Sequence, residues 1–355
     1  MPRFTCGQRS IGDEAPTYFI ADISANHDGD LQRAKSLIRL AADAGADAAK
    51  FQSFRASRIV SARGFEALGG QLSHQARWRK PVHEMYKNAE LPLAWTSDLV
   101  EACDAAGIDF FSTPYDLEAV DMLDPHVAVF KIGSGDITWP EMLRKVAEKG
   151  KTVILSTGAS EIGEVQRAVR EILAVNPKLV LLQCNTNYTG AIENFKHIHL
   201  RVLHTYRLLF PEVVVGLSDH CPGHAAVLGA VAMGARVIEK HFTDDPTREG
   251  PDHSFSMTPD SWKEMVDRTR ELEDALGAPQ KKIAENELET VIVQRRCVRA
   301  AKELKAGTVI TRSSVDVLRP APLDAIYPYE LDRIIGRKAR RDIALGEHLR
   351  WDLLE

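Results

Sequence analysis

Gly216-Leu217-Ser218-Asp219-His220 and Ile238-Glu239-Lys240-His241-Phe242 decide how this chain folds. Each is an apolar run that reaches a histidine at or near its end. The helical stretch between them, Gly223 to Gly234, is long enough to cross over and make the two runs parallel neighbours. Adjacent strands lie about 4.7–4.9 Å apart, so histidines at matching heights would converge on one point. Two imidazoles so placed can hold a metal ion, and they can equally be packed or hydrogen-bonded strand ends. The pair alone does not choose.

Six further runs of the same kind precede these two: Tyr18–Ala25, Ala48–Phe54, Phe110–Pro114, Val129–Gly135, Thr152–Gly158 and Leu179–Thr186. With Val213–Asp219 and Arg236–Phe242 they make eight. Between them lie segments of helical spacing such as Leu31–Ala44 and Glu161–Leu173, with Asp28-Gly29-Asp30 and Ser160 placed as capping residues. Strands apolar throughout, alternating with helices, form a parallel sheet covered by helices. Eight such units predict a (β/α)8 TIM barrel, an α/β fold. A doubly wound open sheet is the alternative, but no G-x-G-x-x-G follows the first strand.

After the helical stretch Pro259–Leu276 the texture changes. Residues 1–278 read as the barrel, 279–295 as a linker, and 296–355 as a small, mostly β domain. That domain carries an internal echo: Glu303–Ile310 and Asp342–Leu349 both read as strand, Gly turn, strand.

Composition narrows the partners. A formal net charge of −5 gives no basic footprint for nucleic acid. No apolar run approaches the roughly 18–20 residues that span a bilayer, and the first residues lack a signal peptide's apolar core. Five widely spaced cysteines without C-x-x-C suit a reducing cytoplasm. Cys184 and Cys221 lie near strand ends, as nucleophiles or as small buried hydrophobes.

Polar residues collect where the strands end, which in a barrel is where the site lies. Asp22, Lys50, Gln52, Thr113, Lys131, Ser134, Asp136, Ser156, Thr186, Asn187, Tyr188, His220 and His241 all fall there. Lys50 and Lys131 supply point charge, while hydroxyls and the amides of Gly133-Ser134-Gly135 supply hydrogen bonds; together they make an anion cradle. Either lysine would also serve as a Schiff-base former in a barrel aldolase acting on pyruvate. Asp22, Asp136, Asp219 and Asp252 are carboxylates able to orient hydroxyls, tune a metal shell or move protons, and Asp219 equally reads as a helix cap. The long stretch Arg55–Lys80 reads as a substrate-covering loop. A non-catalytic carbohydrate-binding protein is the remaining class, opposed by the cost of burying so much charge without a use.

In order along the chain, Ser24–Asp30, Ala46–Gln52, Phe111–Asp116, Phe130–Asp136, Ile154–Gly158, Gly216–His220, Ile238–Thr243 and Gly250–His253 resemble the motifs of the N-acetylneuraminate (sialic acid) synthase family, which includes legionaminic and pseudaminic acid synthases. Lys302–Ile310, Arg319-Pro320 and Ile335–Ala339 resemble its antifreeze-like (SAF) domain. The resemblance implies a cytoplasmic enzyme, usually a domain-swapped homodimer. It would condense phosphoenolpyruvate with an open-chain N-acetylated amino sugar to a nine-carbon 2-keto acid and phosphate. It assigns Lys50, Thr113, Lys131, Ser134 and Ser156 to phosphoenolpyruvate, with Thr186 and Asn187 beside them. It gives His220 and His241 to Mn2+ or Mg2+, and Gln52, Tyr188, Asp136 and Asp252 to the sugar, with Arg319 arriving from a partner chain. Asp22 and Asp136 stand where familiar members have glutamate, each one methylene shorter. Cys184–Gly190 lacks the family's Tyr-Pro, and Arg319–Ile326 replaces its Arg-Pro-Gly/Asn loop.

Overall fold

Period-two alternation along eight parallel strands sorts the side chains into an interior set and a helix-facing set. The computed structural model describes residues 3–355, and two units divide at Gly277/Ala278. An opening antiparallel hairpin, β1 (Arg3–Cys6) and β2 (Arg9–Gly12), precedes the barrel strands β3 (Tyr18–Asp22), β4 (Ala48–Ser53), β5 (Asp109–Pro114), β6 (Val129–Ile132), β7 (Thr152–Ser156), β8 (Leu179–Cys184), β9 (Val214–Asp219) and β10 (Val237–His241). The last eight close into a barrel, β10 pairing with β3 and β9. All eight expected strands are present.

Residues pointing into the bore are apolar low down and polar at the top. Tyr18, Ile20, Ala48, Phe111, Val129, Ile154, Val180, Leu182, Val214 and Val237 form one buried core. The alternate residues, such as Phe19, Phe51, Phe130, Leu155, Leu181, Leu217 and Ile238, pack against the helices in a second, larger core. Gly216 is fixed by this crowding, since a Cβ there would meet Val237 O and the Leu182 side chain. The hairpin was not expected from the sequence. Its Cys6 and Ile11 join the interior core and so close the lower end of the bore, while Thr152 Oγ1 donates to Thr5 O at 2.7 Å.

Several boundaries differ in instructive ways. The run expected to reach Gly135 stops at Ile132, because Ser134–Asp136 turns into a 3-10 helix. Asp30 caps Leu31–Asp43 as expected, accepting from Gln32 N at 2.7 Å. The helix Ile162–Leu173 is capped by Glu161 rather than Ser160, with Glu164 returning the bond to Glu161 N. The stretch after β4 folds as short helices, Ala56–Ile59, Ala62–Ala67 and Val82–Asn88, with a 3-10 turn at Ser73–Arg77. No helix among the described residues is long and apolar enough to cross a membrane.

The second unit, Ala278–Glu355, has its own core of Val298, Leu304, Ile310, Val315, Ile326, Ile334, Ile343 and Leu349 among others. Strands β11 (Cys297–Ala300) and β12 (Val315–Leu318) pair antiparallel. The echoed segments are not two hairpins. They face each other through a single bridge, with Leu304 N donating to Ile343 O at 2.9 Å and the reverse bond at 2.8 Å. The stretch read as linker contains a helix, Leu288–Gln294, with no buried residue; its helical propensity outlasts its lack of a packed face.

Candidate active site

The polar upper layer of the bore encloses a cavity of about 160 Å³. Its wall includes Asp22, Lys50, Gln52, Thr113, Lys131, Ser134, Ser156, Tyr188, His220, His241 and Asp252, eleven of the residues that sequence singled out. Strand alternation explains the set: each lies at an inward step, one or two steps above an apolar interior residue of its own strand or in the loop that follows.

On one side stand the lysines. Lys50 Nζ donates to Asp22 Oδ2 at 2.6 Å and lies 3.9 Å from Glu239 Oε2. Lys131 Nζ donates to Ser156 Oγ at 2.7 Å and to Ile132 O at 3.2 Å, and lies 3.5 Å from Glu239 Oε1. Burial favours the neutral form of both. At Lys50 the carboxylates of Asp22 and Glu239 outweigh it and hold the ammonium above its usual range. At Lys131 burial wins, assisted by the charge of Lys50, and the amine is pulled down. Ser134 Oγ accepts from Gly158 N at 2.9 Å, fixing a hydroxyl beside them.

Facing the lysines are two imidazoles whose ring centroids are 5.4 Å apart. His220 Nδ1 donates to Asn185 O at 2.9 Å, which leaves Nε2 with its lone pair. Burial keeps both rings neutral, lowering His220 and taking His241 to about 3. His241 Nδ1 is buried with no hydrogen-bond partner, and so are Asp22 Oδ1 and Glu239 Oε2. Buried polar atoms are normally paired, so several orphans in one cavity mark a place that expects a ligand. These donors fit a divalent ion held by two neutral imidazoles. Among the described residues no three His, Cys, Asp or Glu side chains converge with metal-site geometry, so water and substrate oxygens would complete the shell.

Other expectations land elsewhere. Asp219 points out of the bore, accepting from Lys240 Nζ at 2.6 Å and from Cys221 N at 2.9 Å; it is neither a site carboxylate nor a helix cap. Asp136 follows the 3-10 turn outside the cavity wall, where burial lifts its carboxyl to about 6. Asn187 Oδ1 accepts from Thr189 Oγ1 at 2.6 Å, and neither Asn187 nor Thr186 lines the cavity. Arg319 lies exposed in the second unit. All five cysteines are free and buried; burial raises Cys184 to about 11 and Cys221 to about 12, so neither is an activated nucleophile.

Sequence reasoning missed Glu239 as a site residue. The signal was present: it precedes His241 by two, on the same face of β10, as Ser218 precedes His220 on β9. Ser218 Oγ donates to Glu239 Oε1 at 3.1 Å. It also missed His74, Trp78 and Tyr86, which the stretch after β4 brings to the wall; His74 meets the Tyr188 ring edge-on at 4.9 Å. Loop residues carry no periodicity to announce them.

Residues 37–281 match the NeuB family, and residues 295–355 match the SAF domain. The chain belongs to the NeuB family. It is 35% identical to an N,N'-diacetyllegionaminic acid synthase from Campylobacter jejuni, covering 94% of this chain and 99% of that protein. It is 33% identical to the N-acetylneuraminate-9-phosphate synthase of Homo sapiens, covering 94% and 91%. The crystal structure of an N-acetylneuraminic acid synthetase from Leptospira borgpetersenii superimposes with a TM-score of 0.70 at 32% identity, covering 81% of this chain and 95% of that one. As a NeuB-family chain, it has relatives named as acid synthases.

Proposed function

We infer that this protein is a nonulosonic acid synthase joining phosphoenolpyruvate to the aldehyde of an open-chain N-acetylated amino sugar. The observation that carries the reading is the pairing, inside one cavity, of two buried lysines with two neutral imidazoles. Lys50, Lys131, Ser134, Ser156 and Thr113 hold the phosphate and carboxylate of phosphoenolpyruvate, a ligand whose charge matches two cationic groups. His220 and His241 would hold Mn2+ or Mg2+, which when bound supplies a Lewis acid for the aldehyde. Gln52, Tyr188 and Asp252 contact the sugar. Ser24 Oγ donates to Asp252 Oδ2, and Ala25 N donates to the same oxygen at 3.4 Å, fixing that carboxylate at the wall.

The enol carbon bonds to the aldehyde carbon, whose oxygen becomes a hydroxyl. Water then adds to the phosphate-bearing carbon, giving up a proton, and phosphate leaves as the ketone forms. Asp22 Oδ1 and Glu239 Oε2 are unpartnered carboxylate oxygens in the wall, placed to take that proton. The relatives' reach adds two parts: a homodimer in which the partner's Arg319 completes the sugar site, and a cytoplasmic location, which the unpaired cysteines suit. Exchange of Arg319→Ala protomers tests the first.

The lowered Lys131 amine favours a second reading, a pyruvate-dependent Schiff-base aldolase. One experiment separates them. Phosphate release from phosphoenolpyruvate is followed with N-acetylmannosamine and 2,4-diacetamido-trideoxyhexoses, with and without chelator. Chelator-sensitive release, with a nine-carbon acid by mass, is expected. Borohydride trapping of pyruvate on Lys131, indifferent to chelator, would establish the aldolase.

A further inference from the structure

Outside the catalytic cavity, at its mouth, lies an open groove of about 920 Å³. The two adjoin: Ala25, Trp78, Met85, Ala89 and Pro251 line both. The groove contains four cations, Arg77, Arg79, Lys80 and Arg248, against two acids, Asp28 and Glu249. Asp28 is already saturated. It accepts from Arg248 Nε and His253 Nε2, both at 2.9 Å, and lies 3.1 Å from Arg33 Nε. Lys80 Nζ lies 3.4 Å from Glu84. Among the described residues, neither Arg77 nor Arg79 has a carboxylate within ion-pair distance, although the chain as a whole carries −5. The segment Arg77-Trp78-Arg79-Lys80 thus lends an aromatic ring to the cavity and places its cations in the groove.

We propose that Arg77, Arg79, Lys80 and Arg248 form a second anion subsite, which takes a phosphate monoester carried on the sugar at the end remote from its aldehyde. The proposal rests on the synthase reading above, since that reading sets the aldehyde at His220 and His241 and leaves the far end of the chain to point at the mouth. Two unpaired guanidiniums suit a phosphate, which they grip in a planar fork. An uncharged sugar end would leave this excess positive charge without a partner. The same chemistry has a second source, phosphoenolpyruvate drawn in by the local field.

The test is calorimetric, on the full-length protein. An N-acetylhexosaminitol, its aldehyde reduced so that it cannot react, is titrated with and without a 6-phosphate. The phosphorylated alditol is expected to bind at least about tenfold tighter at low salt. That preference should disappear in the Arg77→Ala/Arg79→Ala protein, whose exposed positions leave the fold intact, and should reverse in Arg79→Glu. Equal binding of the two alditols, no binding of the phosphorylated one, or a preference that survives both variants overturns the proposal. So does a fall in kcat/KM for phosphoenolpyruvate, with an unphosphorylated sugar, in variants that keep the alditol preference; that pattern assigns the groove to steering. If no sugar is turned over yet the preference is present and lost in the variants, the subsite stands and the synthase reading fails.

Discussion

Two sets of buried lysine and carboxylate lie one alternation step apart on the same strands. Facing the helices, Lys240 meets Asp219 in a closed pair: Nζ also donates to Cys221 O at 2.6 Å, and both Asp219 oxygens are used. Facing the bore, Lys50 and Lys131 share Asp22 and Glu239, yet Asp22 Oδ1 and Glu239 Oε2 are left without partners. Both sets are equally out of water, so burial does not separate them; completeness of hydrogen bonding does. A closed pair gives back much of its desolvation cost inside the fold. An open cluster carries an unmet cost that a ligand can relieve, and that is what makes the inner set a site and the outer one a strut.

Mutation should separate the two sets cleanly. Lys50→Met or Lys131→Met removes one cation from the anion cradle, and kcat/KM for phosphoenolpyruvate should fall by about 10³-fold, with thermal unfolding little changed. Lys240→Met should do the reverse. It strands Asp219 and costs about 3–5 kcal/mol in denaturant unfolding, while the fraction that remains folded keeps its kcat. A loss of kcat in folded Lys240→Met, or a collapse of stability in Lys131→Met, would erase the distinction between strut and site.

The fold was legible because its signal is repeated. Eight apolar runs, each followed by a helical segment, leave little choice, and the inward or outward sense of every strand residue follows from alternation once one of them is fixed. The same rule placed Lys50, Lys131, His220 and His241 in one layer. It would have separated Glu239 from Lys240 had it been applied along Ile238–Phe242, and it would have sent Asp219 outward with Lys240. What alternation cannot reach are the loops. Asn187 turns back to Thr189, Asp136 is carried off by a 3-10 turn, and His74 arrives from a stretch with no period at all. The hairpin β1–β2 was hidden for another reason: four-residue strands with only two deeply buried anchors, Cys6 and Ile11, resemble any short polar lead-in.

Glu239 offers a sharper cut, because it touches both lysines. Its carboxylate is the main influence holding the Lys131 ammonium up against burial. In Glu239→Gln that support is lost, so Lys131 deprotonates at lower pH. The alkaline limb of kcat/KM for phosphoenolpyruvate should then move down by about one pH unit, without loss of fold. An unmoved limb would mean that Lys131 is not the group whose charge holds the phosphate.

The smallest effect concerns Asp136, whose Oδ2 is also buried without a partner although it stands outside the cavity wall. Burial raises this carboxyl to about 6 from an ordinary value of 3.8, so between those values the folded protein binds more protons than the unfolded chain. Stability from this group is therefore highest at the acid end and is lost as pH rises through the window. Asp136→Asn abolishes the titration. The variant should gain on the parent as pH goes from about 4 to about 7, by on the order of 1 kcal/mol in denaturant midpoints converted to free energy. A pH-independent difference would show that water already serves Oδ2. The inner cluster around Glu239 would then hold the unmet cost alone, and an orphaned oxygen would mark a site only where cations and imidazoles converge around it.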